Sequence, residues 1–399
     1  MKLREVRFTS VGETHDFLTN MGVSCGGARL MAEKALPLNI VVEDMSCAEA
    51  NILKQEMLIL GGDAAIHRDV ITGNQERSDV LLLGSRSQMR KLCTRMQRQC
   101  FSLPEIGREL EQHLEVRGFV FAFRGGELAC RERTHIMGIL NVTPDSFSDG
   151  GLFRDPETAA EHALLMEKNG ADVIDIGGES SRPGADTVTV DEEISRIIPV
   201  FERLQDTAHI PLSVDTRHAE VARKALEAGA SIVNDITGFE DPAMIEAAAS
   251  SGAGVIIMHM QGKPQTMQDN PRYDDVVADI LRFLETRAGK AIKGGVKEHS
   301  IMVDPGIGFG KTPMHNIEIL HKVADFRTLG FPVLIGASRK SFIGKTIGLE
   351  PGERLPADTA VTTYCTAQGI DMVRVHDVKE NVAARDMARL LHGPEEGDA

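Results

Sequence analysis

Eight residues able to bind or polarise a ligand stand at the ends of short hydrophobic runs: Asn141, Asp175, Asp215, Asn234, His259, Asp304, Ser338 and Arg374. Carboxylates accept hydrogen bonds from amine and ring N–H groups. A carboxamide oxygen suits a Mg²⁺ ion that takes its other ligands from phosphate and water. A guanidinium stacks on a flat ring and also makes paired hydrogen bonds to phosphate. Arg374 is followed two positions later by His376, a second group suited to an anion. Asp and Asn are also ordinary turn residues, so any one of the eight would mean little. Eight at eight run ends, with Arg and His among them, is hard to attribute to turns.

The runs themselves are 135–142, 171–178, 210–216, 231–237, 254–260, 300–306, 332–338 and 371–377. Each is short and rich in β-branched residues, and helical stretches separate them. In one stretch Ile194, Ile197, Phe201 and Leu204 share a helical face; another is expected to group Ile317, Leu320 and Val323. Asp or Ser precedes several of these helices and Gly follows them. Eight such units predict a (β/α)₈ TIM barrel, whose ligand-binding groups sit at the C-terminal strand ends. A doubly wound open sheet is the alternative, but it seldom carries eight evenly spaced units.

Residues 1–115 form a separate region, expected to be a small α/β domain that precedes the barrel domain of 116–399. It reads as strands over PLNIVVEDM, DAAIHRDVI and SDVLLLG, with helices over CAEANILKQEMLILGG and SQMRKLCTRMQRQ. Gly61-Gly62 and Gly84-Ser85 complete no nucleotide-binding pattern and read as a helix C-cap and a turn. FVFAFRGGELACRER reads as a hairpin closing the barrel floor. A formal net charge of −15 argues against a nucleic-acid or anionic-membrane surface. No apolar stretch is long enough to span a bilayer, and the N-terminus lacks a signal-peptide core. The six cysteines form no CxxC pair, which favours free thiols and a cytoplasmic setting over disulfides or zinc.

MGILNVTPDSFSDGG (137–151) and DIGGESSRPGA (175–185), followed in order by SVDT, NDI, MHMQG, VDPGIGFGKT, IGASRKSFIG and RVHD, resemble the dihydropteroate synthase family. The resemblance covers about residues 119–392 and leaves the leading region aside. It implies condensation of 6-hydroxymethyl-7,8-dihydropterin diphosphate with p-aminobenzoate, giving 7,8-dihydropteroate and pyrophosphate. It further implies that Asp215, Asn234, Asp304 and Lys340 hold the pterin, with Met258 flanking the ring. Type alone makes Met258 equally a core filler. The metal ligand for Mg²⁺ would be Asn141. Arg374 and His376 would bind the diphosphate, and Asp145 would help stabilise a cationic pterin. Phe147, Ser181, Arg182, Pro183, Gly308 and Phe309 would line the p-aminobenzoate pocket. Ser341, at an expected helix start, would take its carboxylate. The family usually has Thr where this chain has Ser181, which keeps the hydroxyl and loses a methyl. A homodimer is implied as well.

Two other readings compete. A corrinoid-linked methyltransferase also holds a pterin in a barrel, but it has no use for a diphosphate, and SRPG, SRKS and RVHD argue against it. A catalytically inactive pterin-binding scaffold would not need every polar residue of the chemistry.

Overall fold

The computed structural model describes residues 3–6, 8, 10–114, 119–130, 133–143, 155–180, 188–264 and 266–392. Asp145, Phe147, Ser181, Arg182 and Pro183 lie outside the described residues. The chain divides into two compact units, one up to Arg117 and one from Gly118 to Leu391.

The leading unit contains α1 (Val11–Asn20), α2 (Cys25–Ala35), β1 (Pro37–Ser46), α3 (Cys47–Ile59), β2 (Asp63–Ile66), β3 (Arg77–Ser85), α4 (Arg86–Met96) and α5 (Leu103–Leu114). Its antiparallel sheet has the order β1-β3-β2. Leu53 and Met57 of α3 and Leu92 and Met96 of α4 pack on Val80 and Leu82 of the central strand. The strand expected over DAAIHRDVI stops at Ile66, and residues 68–70 form a 3₁₀ turn. Gly61 has φ +75° just after α3, and Ser85 begins α4 with a capping box through Gln88.

The second unit opens with a hairpin of β4 (Phe119–Phe123) and β5 (Gly126–Cys130). Eight parallel strands follow: β6 (His135–Asn141), β7 (Val173–Gly177), β8 (Leu212–Asp215), β9 (Ile232–Asp235), β10 (Gly254–Met258), β11 (Ile301–Asp304), β12 (Leu334–Ile335) and β13 (Met372–Val375). Their order is β11-β10-β9-β8-β7-β6-β13-β12, and a parallel bridge between Val303 and Val333 joins the two ends. The ring is closed, so the barrel expectation holds.

Strand side chains alternate between two faces. Ile136, Ile174, Val214, Val233, Val255, Val303, Ile335 and Val373 point outward and share one core with the helices. Met137, Val173, Ile232, Ile256, Met302, Leu334 and Met372 point inward at the N-terminal ends. Phe121 of the hairpin is fully buried in that inner cluster, so the hairpin does plug the floor. Two residues beyond Val173, Ile232, Met302 and Met372 stand Asp175, Asn234, Asp304 and Arg374. The same inward files that begin in the apolar plug therefore end in polar groups at the opposite mouth.

The surrounding helices are α6 (Pro156–Lys168), α7 (Val190–Leu204), α8 (Ala219–Glu227), α9 (Pro242–Ser251), α10 (Val276–Lys293), α11 (Pro313–His321), α12 (Ser341–Ile347), α13 (Leu355–Ala367) and α14 (Val378–His392). Asp155, Asp241 and Thr312 each cap a helix whose first residue is proline. The expected face of α7 is present, with Ile197, Phe201 and Leu204 buried. The grouping of Ile317 with Leu320 and Val323 is corrected. Ile317 is exposed, and Asn316, Ile319 and Leu320 face inward. The buried stripe runs through 316, 319, 320 and 323, one register away from the expected one.

Candidate functional site

Arg374 is the hub of the barrel mouth. Its Nε donates to Asp175 Oδ2 at 2.6 Å, and its Nη2 donates to Asp215 Oδ2 at 2.7 Å. Asn234 Nδ2 donates to the same Asp175 oxygen at 2.9 Å. Strands β7, β8, β9 and β13 thus deliver four polar side chains to one place. Asp175 is fully buried, and its Oδ1 has no hydrogen-bond partner among the described residues. A buried acceptor left open is costly unless a ligand satisfies it. Asp175 is among the eight run-end residues but has no specific role in the sequence-based assignment, and only the fold shows that it pairs with Arg374.

Asp304 and Lys340 form the second part. Asp304 is buried at the tip of β11 and accepts from the Gly306 N–H at 2.7 Å. Lys340 precedes α12, donates to the Ile307 carbonyl, and lies 4.5 Å above the centre of the Phe309 ring. Burial raises the Asp304 pKa, and Lys340 opposes that rise. Burial lowers the Lys340 pKa to about 8, against the pull of Asp304. Burial also raises Asp215, which Arg374 opposes and Asp175 reinforces. The Arg374 guanidinium is held charged: burial works against it, and Asp175 and Asp215 more than offset the penalty. The mouth therefore alternates anion and cation over a few ångströms, an arrangement for a flat ligand with both donors and acceptors.

Met258 is buried and packs with Ile236, Met267 and Phe309, so one apolar wall joins β10 to the loop after β11. Gly308 lies against the Lys340 stem, with its amide donating to Asn316 Oδ1 at 2.7 Å. Ser341 is the first residue of α12 and is exposed. Asn141 is half-buried at the end of β6, paired in register with Gly177. His376 stands just beyond β13 rather than within the strand, and its Nδ1 is 3.1 Å from Ser338 Oγ.

His259 turns out to be a wall residue. It is buried edge-on against Phe283, and its Nδ1 meets Lys311 Nζ at 2.9 Å. Burial, reinforced by Lys311, lowers its pKa to about 2, so the ring is neutral. Lys311 is itself buried and reaches the Phe309 carbonyl at 2.9 Å, tying the loop after β11 to the end of β10. Gly306 makes that approach possible. Its φ is +69°, and a Cβ there would overlap the His259 carbonyl oxygen.

Glu179, Glu193 and His218 form a further cluster behind β7 and β8, with ligating atoms within 4.8 Å of one another. Arg217 already occupies both Glu179 oxygens, at 2.8 and 2.9 Å. Glu193 is fully buried, and neither of its oxygens has a hydrogen-bond partner among the described residues. Burial raises its pKa to about 7, and a nearby Thr216 hydroxyl opposes the rise.

Residues 137–376 match the family described as pterin binding enzyme. The chain belongs to that family. The Escherichia coli (strain K12) dihydropteroate synthase is 46% identical over 250 residues, which are 63% of this chain and 89% of that protein. A Haloferax volcanii protein named "Probable bifunctional folylpolyglutamate synthase/dihydropteroate synthase" is 42% identical over 363 residues, 88% of this chain. This chain spans 43% of that longer relative. Among solved structures, a Yersinia pestis dihydropteroate synthase with a sulfonamide drug complex has a TM-score of 0.66 at 42% identity, covering 68% of this chain and 98% of its own. A Xanthomonas albilineans dihydropteroate synthase with 4-aminobenzoic acid has a TM-score of 0.65 at 41% identity, covering 69% and 99%.

Proposed function

We propose that the barrel is a dihydropteroate synthase. It joins 6-hydroxymethyl-7,8-dihydropterin diphosphate to p-aminobenzoate and releases pyrophosphate. The observation that carries this reading is the Arg374 hub, which binds two carboxylates from different strands beside an unsatisfied buried acceptor. Asp175, Asp215, Asn234, Asp304 and Lys340 supply the acceptors and donors that a pterin's aminopyrimidinone edge requires. Arg374 covers the ring and reaches the diphosphate; His376 takes the diphosphate from the same side. Breaking the C–O bond first leaves a cationic methylene on the pterin, which the arylamine nitrogen then attacks, as in an S_N1 reaction. Arylamines are already nucleophilic, so no general base is assigned. Ser341 at the start of α12 takes the p-aminobenzoate carboxylate, with Gly308 and Phe309 nearby. Asp145, Phe147, Ser181, Arg182 and Pro183 complete the pocket in this proposal.

Asn141 fits a magnesium ion: it offers a hard, uncharged oxygen at the mouth end of β6. When bound, the ion would neutralise charge on the leaving diphosphate. The homodimer is proposed through α11 to α13, where Met314, Ile317, Ile347 and Tyr364 are exposed. Light scattering at micromolar concentration tests that proposal. The activity test is pyrophosphate release with dihydropteroate detected by mass spectrometry. Release should require both substrates and stop with EDTA. No release would leave a pterin-binding scaffold, and methyl transfer to a corrinoid would establish the competing enzyme.

A further inference from the structure

Ser338 and Asp358 are buried behind His376 and belong to no assigned subsite. Ser338 Oγ lies 3.2 Å from the His376 backbone nitrogen, 3.1 Å from His376 Nδ1 and 3.4 Å from Asp358 Oδ2. A hydroxyl has one proton to donate and two lone pairs to accept with. The backbone N–H can only donate, so it takes one lone pair. An ionised Asp358 can only accept, so it takes the proton. One lone pair remains for Nδ1, and that ring nitrogen must therefore carry a hydrogen. The reverse orientation, Ser338 donating to Nδ1, would remove a donor from a buried carboxylate whose Oδ1 already lacks a partner.

The surroundings support the ionised form. Asp358 Oδ2 also accepts from the Arg339 N–H at 2.8 Å. The Arg339 guanidinium is engaged with Asp377 at 3.0 and 2.6 Å. Burial raises the Asp358 pKa to about 6, with Asp377 adding to the rise and the Arg339 N–H, Ser338 and the Arg339 charge opposing it. The carboxylate is thus ionised at pH 8. Arg339 has φ +55°, a left-handed conformation rare for a side-chain-bearing residue, and Asp358 holds its amide there. Arg339 immediately precedes Lys340, so one carboxylate braces both ends of the site.

We propose that Asp358 is a positioning residue that acts through Ser338 to fix His376 in its Nδ1–H form, leaving Nε2 for the substrate's diphosphate. Phosphate oxygens accept only. The ring therefore takes up a proton on Nε2 from solvent when the diphosphate binds, and the Asp358 charge supports the resulting imidazolium through the hydroxyl. The shell behind a ligand-binding histidine commonly sets its tautomer in this way. The proposal rests on His376 serving the diphosphate.

The test uses the full chain with ¹⁵N-labelled histidine, observed by two-bond ¹H–¹⁵N correlation at pH 8. The chain has 13 histidines, and H376Q identifies the signal. Wild type should show a protonated Nδ1 and a bare Nε2. S338A and D358A should both move the ring toward Nε2–H: S338A removes the acceptor for Nδ1–H, and D358A removes the acceptor of the Ser338 proton, which then turns to Nδ1. In both variants kcat/KM for the pterin diphosphate should fall about tenfold, while KM for p-aminobenzoate changes less than twofold. S338T, which keeps the hydroxyl, should restore both readouts. An Nε2–H ring in wild type, or an unchanged ring in S338A, overturns the proposal; S338A decides if D358A does not fold. A chain that makes no dihydropteroate but shows the expected tautomer changes would refute the enzymatic reading and leave the relay standing.

Discussion

Replacing Arg374 by methionine keeps most of the buried stem and removes the cation. Asp175 is fully buried and Asp215 lies beside it, each hydrogen-bonded to the guanidinium. Removing one partner from a buried ion pair costs about 3–5 kcal/mol, because the remaining charge stays desolvated. Here two carboxylates are left, with Asn234 donating to one and Lys340 near the other. One of them will escape by taking a proton. Burial already raises the Asp215 pKa in the folded chain, and loss of Arg374 raises it further. A carboxyl raised above its unfolded value carries its full penalty above the folded pKa and none below the unfolded one, about 4. The R374M loss should therefore approach about 4 kcal/mol at pH 8 and shrink by about 1–2 kcal/mol at pH 5. Adding D175N removes one stranded charge and should recover about 1–2 kcal/mol at pH 8. The chain has no Trp and two Tyr, so urea unfolding is best followed by far-UV circular dichroism. A loss below 1 kcal/mol with no pH dependence would refute the hub.

Three further outcomes follow from the same geometry. E193Q replaces a buried, unpartnered carboxyl with a neutral isostere; it should stabilise by about 2 kcal/mol above pH 7 and have no effect near pH 4.5, read by thermal unfolding. F121A empties the barrel floor and should cost about 3–5 kcal/mol in urea unfolding. G306A forces a Cβ into the His259 carbonyl at a positive φ and should abolish soluble barrel or reduce kcat/KM at least a hundredfold, whereas G289A, with open space around it, should do neither.

The eight strand runs and their order were readable from residue order, but their ends were not: the strands stop short of the expected runs, before His259, Ser338 and His376. A parallel barrel strand is buried on both sides, and its last inward residue faces the mouth. Period-two alternation puts Asp175, Asp215, Asn234, Asp304 and Arg374 at the mouth; the roles expected of the last four came from the family resemblance. The α11 face was misplaced because apolar residues sit on both sides of that short helix, and spacing could not say which side the sheet covers. Partnerships were not readable either. Arg374 meets Asp175 and Asp215 across 199 and 159 residues of chain. Lys311, in the loop before α11, meets His259, and Asp358 of α13 reaches His376 through Ser338, only because the closed barrel seats loops and helices from distant parts of the chain side by side. Local sequence sets which face a side chain occupies through backbone period and capping. Which charges neutralise one another, and which pKa values move as a result, depends on distances of a few ångströms that only the closed ring fixes.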